Sequence, residues 1–168
     1  MDVVADVRGR HTRNTPAAGV PTQETIARVF RFSAALHDRP GRHRLTIGRQ
    51  SSPSLSSISL FDGALAEQVG ERWSAGLFAG TQPRPSSLAL SSEIQEQGAY
   101  VEWRGKPGAP RRWSRTAGFM TSRQSGSVNR DFAFVQAMIL DARWSAFFTQ
   151  EVDVNSGWKR GAGEAMFS

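Results

Sequence analysis

Polarity along this chain alternates residue by residue, and that period of two constrains the fold more than any other feature. From Arg143 to Asn155, the residues Trp144, Ala146, Phe148, Val152 and Val154 share one parity, with Gln150 the exception. Arg143, Ser145, Thr149, Glu151, Asp153 and Asn155 share the other, broken only by Phe147. Successive side chains of a strand point to opposite faces, so this is a strand with one apolar and one polar face. Thr25 to His37, Arg42 to Gln50 and Gly98 to Arg104 repeat the pattern. From Phe132 to Leu140, large residues alternate with Ala133, Val135, Ala137 and Ile139. Turn signals separate the runs: Asp38-Arg39-Pro40-Gly41, Val69-Gly70-Glu71, Gly105 to Pro110 and Ser125-Gly126-Ser127. Pro presets φ and Gly supplies positive φ at such points. Pro16 to Pro21 and Pro83 to Ser92 read as longer loops.

Counting runs gives about eight or nine strands, near residues 3–12, 24–37, 42–50, 58–69, 72–82, 97–104, 111–123, 130–141 and 143–154. Their length of roughly 8–13 residues exceeds the common ~5–6 of soluble strands. It suits the ~9–11 residues of a tilted membrane-crossing strand. Short connections pair neighbours as an antiparallel meander. The expected fold is all-β, an antiparallel meander β-barrel. Residues 1–168 then form either a single β-barrel domain or a segment of a larger, incomplete barrel.

No apolar run approaches the ~18 residues of a membrane-spanning helix, but membrane strands never show one. The segment after Met1, Asp2-Val3-Val4-Ala5-Asp6-Val7-Arg8, lacks the basic start and apolar core of a secretory leader. At face value that implies a cytoplasmic protein; the alternative is a mature form or a fragment that has lost its leader, and the alternation already present at Val3 favours a start within a folded region. The chain holds no Cys, which removes disulfides, thiol nucleophiles and Cys-ligated metals.

A short phrase recurs at strand starts: Arg72-Trp73-Ser74, Arg112-Trp113-Ser114 and Arg143-Trp144-Ser145. Each Trp takes the apolar parity. One reading is a hairpin grammar, with an aromatic packed beside each turn. The other is an interfacial aromatic belt formed by Trp73, Trp103, Trp113 and Trp144, since Trp is enriched at membrane–water boundaries. The polar parity carries many arginines, and Arg31, Arg44, Arg72, Arg104, Arg112 and Arg143 are candidates to face a lumen. Such a lining would favour small anionic solutes. In an eight-stranded barrel the interior is only wide enough for side chains, and Arg–carboxylate networks would then plug it.

Leu45-Thr46-Ile47-Gly48-Arg49-Gln50, a Ser/Pro-rich stretch, and then Leu60-Phe61-Asp62-Gly63-Ala64 resemble the strand–loop–strand phrase of porin-like bacterial outer-membrane β-barrels. Ala75 to Pro83, Asn129-Arg130-Asp131-Phe132 and Gln150 to Trp158 are similar in style. The resemblance covers roughly residues 25–158. It implies an outer-membrane location, membrane lipid as partner, passive diffusion or a structural role, and no catalytic residues. The ending Met166-Phe167-Ser168 departs from the terminal aromatic usual in such barrels.

Other chemistry finds little support. His37 and His43 flank one turn and could sit across a hairpin, but no third metal ligand accompanies them. Asp153, Asn155 and Glu164 have calcium-loop spacing, yet Trp158 stands where that loop needs Gly. No nucleophile elbow, phosphate loop or dinucleotide fingerprint is present. No cofactor, metal site or enzyme activity is expected. A formal charge of +6 invites nucleic acid, but the arginines are spread along the chain and interrupted by acids. The leading expectation is therefore a porin-like outer-membrane barrel. Its rivals are a soluble β-barrel holding a small apolar ligand and a basic nucleic-acid-binding β-protein.

Overall fold

The computed structural model describes residues 1–14, 22–52, 55, 60–85, 87–154 and 161–167; for 12–14, 22–27 and 161–167 it describes only the backbone. The loop read at Pro16 to Pro21, the phrase Ser156-Gly157-Trp158, and Asn155 and Trp158 of the calcium-loop spacing lie outside the described residues. Ten strands follow one another: β1 Asp2–Asn14, β2 Thr22–His37, β3 His43–Gln50, β4 Phe61–Val69, β5 Trp73–Thr81, β6 Ile94–Arg104, β7 Arg112–Gln124, β8 Ser127–Leu140, β9 Ser145–Asp153 and β10 Gly161–Phe167. They form one sheet in sequence order, with every neighbouring pair antiparallel. The meander is the one the alternation predicts. β1 and β10 are its two edges and do not pair among the described residues, so the sheet is open and not closed into a barrel, which is consistent with an incomplete barrel. β10, Gly-Ala-Gly-Glu-Ala-Met-Phe, escapes the sequence reading because small residues of low strand propensity hide its alternation.

No second layer of the described residues covers the sheet, yet one face is buried. Leu65, Phe78, Tyr100, Met120, Phe132 and Phe134 are all at most 4 % exposed on that face, joined by Phe61 and by Leu55 of the β3–β4 connection. A lone sheet buries one face in this way by curling around it. Glycines opposite aromatics make the curl compact. A Cβ on Gly76 would lie 2.5 Å from the Tyr100 ring, and one on Gly118 2.5 Å from the Phe134 ring. Register places each of these glycines directly across from its covering aromatic.

Connections alternate between two ends. At one end lie the turns 38–42, 70–72, 105–111 and 141–144. At the other lie the longer connections 51–60 and 82–93, together with the tight turn Ser125-Gly126. Both residues of that turn have positive φ, 53° and 81°, the mirror-image geometry that matches strand twist in two-residue hairpins.

Candidate functional site

The uncovered face of the sheet is rich in exposed apolar side chains, while the covered face mixes the apolar core with buried polar groups. Register rows across the strands make this plain. One row on the uncovered face runs Leu36, Leu45, Ala66, Leu77, Ala99, Phe119, Ala133, Val152 over eight consecutive strands without a polar residue. Leu36 is 51 % exposed, Leu77 66 % and Phe119 45 %. Ile47, Val135 and Phe148 extend the same face and are also exposed. Small side chains at Ala66, Ala75 and Ala99 leave a shallow apolar trough of about 830 Å³ between Leu36, Leu45, Leu77 and Val101. A contiguous apolar surface on this scale marks an interaction face.

The covered face carries the polar parity. One of its rows reads Ser74, Glu102, Thr116, Gln136, Thr149, and most of these side chains are buried. The row beside it holds Arg44, Glu67, Tyr100 and Glu151, spaced by Gly76 and Gly118. Arg44 donates from Nε to Glu67 Oε2 at 2.6 Å, and the Tyr100 hydroxyl donates to the other oxygen of Glu67. Farther along, Arg130 donates to Asp153 Oδ1 at 2.5 Å and pairs with Glu151 Oε2 at 2.8 Å. Its guanidinium also lies 4.1 Å from the Phe132 ring centre. Burying a carboxylate is costly unless it is paired and hydrogen-bonded, and Glu67, Glu151 and Asp153 meet that cost with the half-exposed Arg44 and Arg130. Glu96 Oε2, Arg104 Nε and Thr149 Oγ1 are buried without a partner among the described residues.

The six arginines read as lumen candidates separate into groups. Arg44, half-exposed, pairs with the buried Glu67. Arg31 stands on the covered parity of β2, exposed, opposite Asp6 in register. Arg104 is half-buried and reaches the Trp73 carbonyl oxygen at 3.5 Å. Arg112 is exposed at the start of β7. Arg72 and Arg143 lie in turns ahead of β5 and β9, not on the strands, so they line neither face. Of the six, only Arg44 has a carboxylate partner among the described residues, Glu67.

Trp73, Trp103 and Trp113 fall on the uncovered face. Trp73 and Trp103 are direct cross-strand partners, 39 % and 51 % exposed. Trp113 is half-buried at the start of β7, and Trp144 is exposed just ahead of β9. The recurring phrase also has a local cause. The carbonyls of Trp73, Trp113 and Trp144 accept N–H bonds from Gly70, Gly105 and Asp141, at 2.7, 2.9 and 2.9 Å. Gly70 and Gly105 are covered by the very rings that follow them. Each phrase closes its turn and leaves its indole near the rim.

Sequence reasoning missed the ion pair in which both side chains are most nearly buried among the described residues. Arg49 and Asp62 are register partners joined by two bonds of 2.6 Å, and both side chains are nearly buried. The Arg49 guanidinium also donates to the carbonyls of Val29 and Leu88. Arg49 shares the parity of Leu45 and Ile47, and the β5–β6 connection supplies part of its cover. The signal was present: Gly-Arg-Gln and Phe-Asp-Gly meet in register, Gly48 on Gly63, Arg49 on Asp62, Gln50 on Phe61.

His37 and His43 do not form a site. His37 lies opposite Arg44 in register and its Nε2 is 2.8 Å from Asp2 Oδ2, while His43 Nδ1 is 2.8 Å from Asp38 Oδ2. Hydrogen bonds from the His43 backbone and ring hold the Asp38 carboxyl below the usual carboxylate range. Arg111 does the same for Asp141. No group of three or more metal-ligating side chains occurs among the described residues. No helix among them is long and apolar enough to cross a membrane, which does not bear on strands. No known protein family, curated protein or solved structure matches the chain.

Proposed function

We propose that this chain is a bacterial outer-membrane β-barrel protein, or a segment of one, whose uncovered face contacts lipid. Its role on this reading is structural or passive, with no enzymatic step. The observation that carries the reading is the eight-strand apolar row from Leu36 to Val152, exposed at Leu36, Leu45, Leu77 and Phe119, on a sheet that buries Glu67, Glu96, Thr116 and Gln136 on its other face. In water that arrangement leaves apolar area unburied at a cost of about 25 cal/mol per Å². In hydrocarbon it is the favourable one. The inner ion pairs suit a filled lumen better than an anion-selective pore, because Arg44 and Arg130 are neutralised by Glu67, Glu151 and Asp153. In a bilayer the edges β1 and β10 must be paired, since unsatisfied backbone groups are not tolerated there.

The test is fluorescence of the chain reconstituted in vesicles with brominated acyl chains. Trp73 and Trp103 emission should be quenched, and Leu77→Asp should lower vesicle incorporation at least tenfold. Recovery of untagged protein in aqueous extracts without detergent, with no quenching in vesicles, would overturn the reading.

A further inference from the structure

We infer that the rim formed by the short turns binds the phosphate headgroups of a leaflet containing anionic lipid. The inference rests on the membrane reading above and adds a headgroup preference and an orientation. Three contacts join the turns into one rim. The Val69 N–H donates to the Arg42 carbonyl at 2.7 Å, and the Arg104 N–H donates to the Arg72 carbonyl at 2.8 Å. Arg111 Nε donates to Asp141 Oδ2 at 2.9 Å, linking the turns before β7 and β9.

The rim is cationic and largely uncompensated. Arg39, Arg42, Arg72, Lys106 and Arg143 are exposed, with no ion pair among the described residues. Of the acids in these turns, Asp38 is engaged by His43 and Asp141 by Arg111, which leaves Glu71. At the opposite end more of the cations are matched, Arg49 by Asp62, Arg84 by Glu93 and Arg130 by Glu151 and Asp153, although Arg10 and Arg123 stand exposed. The charge asymmetry therefore runs along the strand direction.

The rim also meets the apolar face through arginine–indole pairs. The Arg115 guanidinium lies 5.5 Å from the Trp113 ring and Arg115 is the register partner of Trp103. The Arg111 guanidinium lies 5.7 Å from the Trp144 ring. An indole with one wet edge and a cation above it suits the depth where acyl chains give way to phosphate. Nucleic acid could also satisfy the cations, but the surface beside them is the bare apolar row rather than a polar groove.

The experiment compares binding of the full chain to vesicles of phosphatidylcholine alone and to vesicles that also carry phosphatidylglycerol. Anionic lipid should strengthen association, and the gain should vanish at high salt. Replacing Arg39, Arg42, Arg72 and Arg143 by Gln should remove roughly fivefold of the gain per residue, a turn-surface change that leaves the strand circular dichroism unaltered. Arg84→Gln with Arg123→Gln, at the other end, should keep the gain. Equal binding to both vesicle types, or a gain that survives the four substitutions, overturns this inference while leaving the membrane reading intact. No binding to either vesicle type overturns both. Displacement by inorganic phosphate at constant ionic strength would assign the rim to a soluble anion, and displacement by single-stranded nucleic acid would assign it to that partner; either overturns the lipid assignment.

Discussion

Arg49 illustrates how much a single side chain holds in place here. It bridges β3 to Asp62 of β4, to the Val29 carbonyl on β2 and to the Leu88 carbonyl in the β5–β6 connection. Removing one partner of a buried pair strands the other charge, at a cost of about 3–5 kcal/mol. Arg49→Ala should therefore lower unfolding stability in detergent by that amount. Arg49→Leu combined with Asp62→Leu should cost much less, because no charge is left unpaired. Equal losses in the single and double variants would refute this account. Asp38 gives a pH prediction at the same scale. Its carboxyl is depressed in the folded protein, so its contribution is complete above the unfolded value of 3.8 and disappears as pH falls through the lower folded value. Exchange of the His43 amide, which donates to Asp38 Oδ1 at 2.8 Å, should accelerate as pH drops through that window, relative to a neighbouring turn amide. No acceleration would mean the bond contributes nothing to the turn.

At the scale of the strand pair, glycine and aromatic act as one unit. Tyr100 lies over Gly76 and Phe134 over Gly118. The glycine lets the ring lie flat on the backbone of the adjacent strand, and the ring replaces the missing side chain. Gly118→Ala should cost about 1–3 kcal/mol by overpacking. Adding Phe134→Leu should return part of that loss, and a double-mutant cycle on unfolding would read the coupling. Strict additivity would show that the two do not act together. The Arg-Trp-Ser phrase works at this scale too: the Trp carbonyl closes the turn and the ring covers the turn glycine. The hairpin and boundary readings of that phrase are therefore compatible, since one concerns the Trp backbone and the other its indole.

For the whole molecule, the open edges matter most. β1 and β10 each present a line of unpaired backbone groups, which is a template for further pairing. Closure in a membrane-like medium should give a species that migrates differently on a denaturing gel before and after boiling, as folded membrane barrels do. Identical migration of both samples, from detergent in which the strand signal persists, would argue against a closed assembly.

Alternation and turn signals together located nine of the ten described strands, because burying or exposing one face of a strand leaves a trace at every second residue. Alternation also assigned Trp73, Trp103, Trp113 and Trp144 to the apolar parity and Arg44 to the polar one. It could not say which parity the curl encloses, since period two is the same for a sandwich facing water and a barrel facing lipid. Tertiary structure decided that, by leaving Leu77 exposed and burying Glu67. Register decided the rest. Arg49 and Asp62 are thirteen residues apart in sequence, and only the pairing of β3 with β4 turns them from two motif letters into a buried ion pair. Arg72 and Arg143 keep the polar parity by count, yet the chain has already turned at both places, so parity carries no facing there. A one-dimensional pattern records how each residue contrasts with its neighbours; which face is enclosed, and which charges meet, depends on strands brought together from elsewhere in the chain.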